Sequence, residues 1–240
     1  MTNRRYKPVL YWFGVAAFAA AAGGCAGAGS HGSAYKPAVN PVEFQEVVDN
    51  PYFPLVPGTT LKYTERSMDG ISENTVTVTH ETKMIMGVKC VVVHDTLTKD
   101  GKLTEDTYDW YTQQKNGAVW YFGEATKEYK AGGRVSTEGS WEAGVGGAQP
   151  GIVIPADPQP GTEAYRQEYL RGEAEDMGQV AALGEKITVP YGTLTNCLKT
   201  KEWSMVESGS EQKWYAKGIG FVRSESTGGE TSELISVVKE

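Results

Sequence analysis

Histidine and cysteine are scarce in this chain, three of each in 240 residues. That leaves little material for a metal centre built on imidazole and thiolate ligands. No nucleophile elbow, phosphate-cradling glycine loop, zinc signature or kinase motif set is present. Gly144-Val145-Gly146-Gly147 is glycine-rich, but no lysine follows it, and no strand precedes it at the offset a phosphate loop needs. Basic charge is in deficit, with 23 Lys and Arg against 30 Asp and Glu, a net of -7. An acidic surface repels phosphate backbones, and no basic patch supplies non-specific nucleic-acid affinity. Nucleic acid is excluded as a partner on that ground. Helical periodicity is also rare, and the one long apolar run, Val9 to Ala22, is interrupted by Gly14. It falls short of the roughly 20 apolar residues that span a bilayer.

What surrounds that run gives it a meaning. Arg4, Arg5 and Lys7 precede it and no acid does, while Ala, Gly and Ser follow it. Positive flank, apolar stretch and small residues form the order of an export signal. Ala22-Gly23-Gly24-Cys25 resembles a bacterial lipobox, with Ala22 where leucine is usual. The resemblance implies cleavage before Cys25 and acylation of that cysteine, palmitate included. Several acyl chains on one residue anchor firmly where one alone binds marginally. The lipid membrane is then the first expected partner. Residues 26–40 are small and Gly/Ser/Ala-rich, a composition that suits a tether. The lipoprotein resemblance, with Ala26 rather than aspartate after the cysteine, points to the outer membrane, facing periplasm or exterior. The expected division is a signal peptide over 1–24, a flexible tether over 25–41 and one β-rich domain over 42–240. Without Arg4, Arg5 and Lys7, 20 basic residues face 30 acidic ones.

From residue 60 onward the chain alternates. Thr75-Val76-Thr77-Val78-Thr79-His80 is a period-2 run of β-branched residues, the pattern of a half-buried strand. Asp69-Gly70, Met86-Gly87, Asp100-Gly101, Asn116-Gly117, Gly132-Gly133, Ser208-Gly209 and Gly228-Gly229 punctuate such runs. Asn-Gly and Asp-Gly pairs favour tight hairpins. The spacing predicts a mostly β fold: a curved antiparallel meander, half-barrel or barrel-like. Asn50 to Thr60, with Pro51, Pro54 and Pro57, is expected to lie extended across an open end and turn at Pro57-Gly58. Ser140 to Gly161 is a long Gly/Pro connection, expected to cap a barrel end, cover a cavity or cross between halves of the sheet. Glu173 to Leu183 fits helix and strand equally.

Two blocks share one order of features. Cys90, Asp109-Trp110-Tyr111 and Gly117-Ala118-Val119-Trp120-Tyr121 are echoed by Cys197, Lys213-Trp214-Tyr215 and Gly218-Ile219-Gly220-Phe221-Val222. The echo suggests pseudo-repeated halves of one curved sheet. With Cys25 acylated, export to an oxidising compartment makes Cys90 and Cys197 a possible disulfide; two buried thiols are the alternative.

The candidate functional residues are acids and aromatics. Glu105 and Asp109 share a strand face, with Asp95 on the preceding strand and Glu124 on the following one. Oxygen-rich sets of this kind suit Ca2+, so Asp95, Glu105, Asp109 and Glu124 are candidate metal ligands. They serve equally as a solvated acidic face or as the paired carboxylates of a hydrolase. Glu173, Glu175 and Asp176 form a second acidic cluster. His80 and His94 read as ordinary sheet residues. Adjacent strand residues point to opposite faces, so each Trp-Tyr pair sends one ring inward. Trp110, Trp120, Trp141 and Trp214 are the candidate lining of an apolar ligand cavity.

Asn50-Pro51-Tyr52-Phe53-Pro54-Leu55-Val56-Pro57-Gly58-Thr59, Asp106 to Tyr111, Gly117 to Glu124 and Tyr215 to Gly220 resemble a family of uncharacterised bacterial secreted proteins and lipoproteins. The resemblance covers most of the chain after the tether and implies export and a single unit. It assigns no catalytic residue. The outline is also similar to periplasmic lipoprotein carriers, whose half-barrels hold acyl chains; that likeness is one of outline only. The resulting expectation is a membrane-tethered envelope binding or structural module that takes an apolar small molecule or an envelope protein as partner. A calcium module or a carboxylate hydrolase is the alternative.

Overall fold

The computed structural model of the chain describes residues 35–240. The signal-like segment, Cys25, His31 and most of the expected tether lie outside the described residues. A 3-10 turn, Pro41–Glu43, leads into sixteen strands. These are β1 (Phe44–Gln45), β2 (Thr59–Ser67), β3 (Gly70–Ile85), β4 (Val88–Lys99), β5 (Lys102–Gln114), β6 (Val119–Lys130), β7 (Arg134–Ser136) and β8 (Trp141–Glu142). There follow β9 (Gln149–Ile154), β10 (Tyr165–Arg166), β11 (Glu168–Tyr169), β12 (Asp176–Val189), β13 (Gly192–Ser204), β14 (Glu211–Ala216), β15 (Gly220–Ser226) and β16 (Thr231–Lys239). Among the described residues no helix is long and apolar enough to cross a membrane.

The strands form one antiparallel sheet in the order β10-β12-β13-β14-β15-β16-β2-β3-β4-β5-β6-β9-β11. The only large jump is β16 beside β2, which brings the last strand back to the first long one. The sheet therefore curls into a barrel that is nearly closed, with one seam. Consecutive residues bridge the seam: β10 pairs with β12 while β11 pairs with β9. Between them the Gln167 N–H donates to Asp176 O at 2.8 Å. Gly151 on β9 is required here, because a Cβ would lie 2.3 Å from the Gln167 carbonyl carbon. The long Gly/Pro connection is thus not irregular throughout. Its β9 pairs with β6 and forms one bank of the seam.

Glu173 to Leu183 resolves as the last turn before β12 and the first half of that strand. Met177, Val180 and Leu183 fit helical spacing, but pairing with β13 outweighs that local preference. Tyr165 to Tyr169 is split into β10 and β11 because its two halves bond to different neighbours.

The segment after β1 closes one end. Asp49 and Asn50 donate their backbone N–H groups to Gln113 Oε1 at 2.9 and 2.7 Å, and Asn50 Nδ2 donates to Gly117 O at 2.8 Å. On the far side, Gly218 N donates to Pro51 O at 2.8 Å. Between these ties Phe53 enters the barrel and packs on Tyr111 and Tyr215, with ring centroids 5.3 and 6.3 Å away. Tyr63, Leu198, Phe221 and Leu234 complete this apolar floor. Burial of such side chains at about 25 cal/mol per Å² of apolar surface drives closure.

Candidate functional site

Above the floor the interior changes character. The cross-strand registers fix which residues share the inner face. Thr200 on β13 faces Lys213, Lys213 faces Ser224, Ser224 faces Ser232, and Ser232 faces Glu65. All five are buried. On the opposite wall Asp95 faces Thr107 and Thr107 faces Thr126, while Asp109 faces Glu124. The barrel core is therefore two layers: an aromatic floor and a polar belt.

The belt opens into a cavity of about 460 Å³. Its mouth is framed by the turns after β2, β13 and β15, represented by Met68, Gly209 and Gly228. Two of these turns bind one another, Thr227 N donating to Ser210 O at 2.8 Å. Tyr111, Tyr121, Tyr215, Phe221 and Val153 form the apolar part of the lining. Glu168, Asp176, Glu202, Glu211 and Lys213 form the charged part.

Lys213 is fully committed. Its Nζ lies 2.8 Å from Glu202 Oε2 and 2.9 Å from Glu211 Oε1. Burial works to lower its pKa, but the two carboxylates outweigh that and hold it above the usual lysine range. Glu202 Oε1 accepts from Thr200 Oγ1 at 2.7 Å and from the Tyr215 hydroxyl at 3.1 Å. Glu211, driven up by burial and restrained by Lys213, reaches about 7. Such a buried triad holds only because each charge meets partners.

For Asp109, Glu65, Glu105 and Asp95 burial is the leading influence, while Lys213 acts on Glu168 and Asp176 without a direct ion pair. Burial pushes Asp109 up to about 8 against the opposing Tyr121 hydroxyl, which donates to Asp109 Oδ1 at 2.7 Å. Burial, then Glu105 and Glu211, push Glu65 up to about 8. Glu105 is raised by burial to about 7. Asp95, raised well above the carboxylate range by burial and by Asp109, accepts a short hydrogen bond from Asn74 Nδ2. At the seam, burial and Asp176 hold Glu168 well above its usual range. The Trp141 indole, which approaches the carboxyl without a well-formed hydrogen bond, works the other way. Asp176 is raised by burial to about 6.

The expected site residues are thus partly brought together. Asp95, Glu105 and Asp109 share the inner wall, and Glu124 is buried opposite Asp109. Among the described residues, however, no three His, Cys, Asp or Glu side chains converge as a metal site. Asp106 faces outward, 2.7 Å from His94 Nε2, and His94 stacks on Tyr108. His80 is separate, 3.5 Å from Glu240 Oε2. Trp110, Trp120, Trp141 and Trp214 do not line the cavity; the tyrosines beside three of them do. Trp110 and Trp214 lie on the outer face beneath Lys83 and Lys199, and Trp120 packs edge-on to Phe44. Trp141 stands behind the wall, edge-on to Tyr121. The inward choice follows chemistry: a phenol reaches a partner inside the belt, and Tyr121 and Tyr215 both do so. Cys90 and Cys197 are two separate buried thiols rather than a disulfide. They sit on β4 and β13, with five strands between them in the sheet order.

Sequence reasoning missed Lys213, Glu202, Glu211 and Glu168. Lys213 was legible only through its place beside Trp214-Tyr215, where strand alternation turns it to the same face as Tyr215.

No known protein-family profile matches the chain, and no curated protein matches it. Two solved structures are similar. One is an inferred exported protein with a YmcC-like fold from Bacteroides fragilis, 17% identical, covering 78% of this chain and 99% of its own, with a TM-score of 0.48. The other is an inferred lipoprotein from Parabacteroides distasonis, 15% identical, covering 78% of this chain and 98% of its own, with a TM-score of 0.43.

Proposed function

We propose that this chain is an exported module of a bacterial envelope, tethered through an acylated Cys25, whose barrel holds a small molecule with an apolar or aromatic body. The cavity is the observation that carries the reading. About 460 Å³ of space, walled by Tyr111, Tyr121, Tyr215, Phe221 and Val153, opens at one end of the barrel above its aromatic floor. Ligand sites are commonly of about 300–1,000 Å³, largely apolar with a few convergent polar groups, and barrel mouths are a frequent place for them. The basic-then-apolar N-terminus and the lipobox-like Ala22-Gly23-Gly24-Cys25 support the envelope address.

Fluorescence titration with the neutral apolar dye N-phenyl-1-naphthylamine tests the cavity. A saturable signal is expected in the wild type and is expected to fall at least about tenfold in affinity in Val153→Trp, which fills the space. Equal binding by both proteins would remove the cavity as the ligand site. Native mass spectrometry of protein purified from its own membrane tests the tether, which predicts a diacylglyceryl, N-acylated cysteine as the first residue.

A further inference from the structure

Charge in the cavity is one-sided. Among the described residues Glu168, Asp176, Glu202, Glu207, Glu211 and Glu230 line it beside a single cation, Lys213. Lys213 is already held between Glu202 and Glu211, so its charge reaches Glu168 and Asp176 only without a direct ion pair. These two acids flank the seam, joined through Gln167, whose backbone N–H donates to Asp176 O. Glu168 is 2% exposed. Its Oε1 and Asp176 Oδ1 make no well-formed hydrogen bond among the described residues, with the Trp141 indole approaching the first carboxyl and the Ser204 hydroxyl the second. Buried acceptors left unmade cost free energy, and a ligand that supplies donors recovers it.

We infer that Glu168 and Asp176 make the cavity a site for an organic ammonium ion, a primary amine on a short apolar or aromatic body. This rests on the cavity reading above and adds the ligand's charge to it. An ammonium brings three donors and the positive charge that both carboxyls lack. The rings of Tyr111, Tyr121 and Tyr215 suit the same ion, because aromatic faces attract cations. An anion finds no uncommitted cation in the lining, since Lys213 is held by Glu202 and Glu211. A neutral apolar molecule leaves both orphan oxygens unpaired.

The test is calorimetric titration of the full chain with three probes of one shape: 2-phenylethylamine, 2-phenylethanol and 3-phenylpropionate. The amine is expected to bind at least about tenfold tighter than the alcohol, and the carboxylate not at all. In Glu168→Gln/Asp176→Asn the amine is expected to fall to the alcohol's affinity, while the alcohol is unchanged. Circular dichroism checks the fold of that variant; if it does not fold, Glu168→Gln alone carries the same readout. Alcohol binding equal to amine binding in the wild type, or an amine preference that survives the substitutions, overturns the assignment. If the naphthylamine dye binds while the amine shows no advantage, the ammonium assignment falls and the cavity reading stands. If neither the dye nor any of the three probes binds, both fall.

Discussion

The strands β4-β5-β6 and β13-β14-β15 are built alike but bury different central groups, an acid in one and a lysine in the other. In the first set Val91 faces Tyr111 and Tyr111 faces Tyr121; in the second Leu198 faces Tyr215 and Tyr215 faces Phe221. Both sets carry a register shift beside the tryptophan that precedes the central tyrosine. Both place a lysine over that tryptophan on the outer face, Lys83 over Trp110 and Lys199 over Trp214. Each cysteine immediately precedes the equivalent apolar residue, Val91 or Leu198. One inward step from the central tyrosine, Asp109 in one half corresponds to Lys213 in the other. The same backbone solves two burial problems. Asp109 is kept near neutrality by burial, against the pull of one phenol donor; Lys213 stays charged between two carboxylates.

The largest difference should appear on deleting the central group. Lys213→Met leaves Glu202 and Glu211 without their cation and is expected to cost about 3–5 kcal/mol in urea unfolding. Asp109→Asn keeps an acceptor for the Tyr121 hydroxyl and removes no charge near neutral pH. It is expected to cost less than about 1 kcal/mol by the same measurement.

The pH dependence separates the halves next. Asp109 and Glu65 titrate near 8 in the folded chain, Glu105 near 7 and Asp176 near 6. Unfolded carboxyls titrate at about 4. The folded chain therefore keeps protons that the unfolded chain has released. This contribution is whole below about pH 4 and is lost as pH rises through the range of about 6 to 8. Thermal melting is expected to be at least about 5 °C higher at pH 5.5 than at about pH 8.5. Asp109→Asn should flatten that slope, and a pH-independent melting temperature in the wild type would contradict it.

Smaller effects follow from single donors. Tyr121→Phe removes the hydroxyl that donates to Asp109 and is expected to cost about 1 kcal/mol and to raise Asp109 further. Lys83→Met and Lys199→Met remove the cations over Trp110 and Trp214, each at about 0.5–1 kcal/mol, with the closer Lys83 pair losing more.

Strands and turns were legible because period-2 alternation and Gly-containing turns are local signals. Thr75 to His80, Asp69-Gly70 and Asn116-Gly117 fall where alternation places them. The crossing by Asn50 to Gly58 was legible because three prolines exclude ladder pairing. The interior polarity was not. Glu65 stands between Thr64 and Arg66, and Lys213 between Gln212 and Trp214, so the inner and outer faces of these strands both carry polar residues and look alike. Which ring of each Trp-Tyr pair turns inward was open for the same reason, since both are large and aromatic. The seam was hidden because β10 and β11 are two residues each, too short for periodicity, and their partners lie on different strands. The echo of the two halves, by contrast, was visible from Cys90 and Cys197 and the Trp-Tyr pairs alone.

Carboxyl titration by 13C-detected NMR reads the interior most directly. The side-chain resonances of Asp109 and Glu65 are predicted to keep shifting up to about pH 8, well past the range of about pH 4 to 5 in which an unperturbed carboxyl titrates. Should Asp109 and Glu65 finish titrating within that ordinary carboxyl range, the barrel would not enclose the neutral acids on which this account of its interior depends.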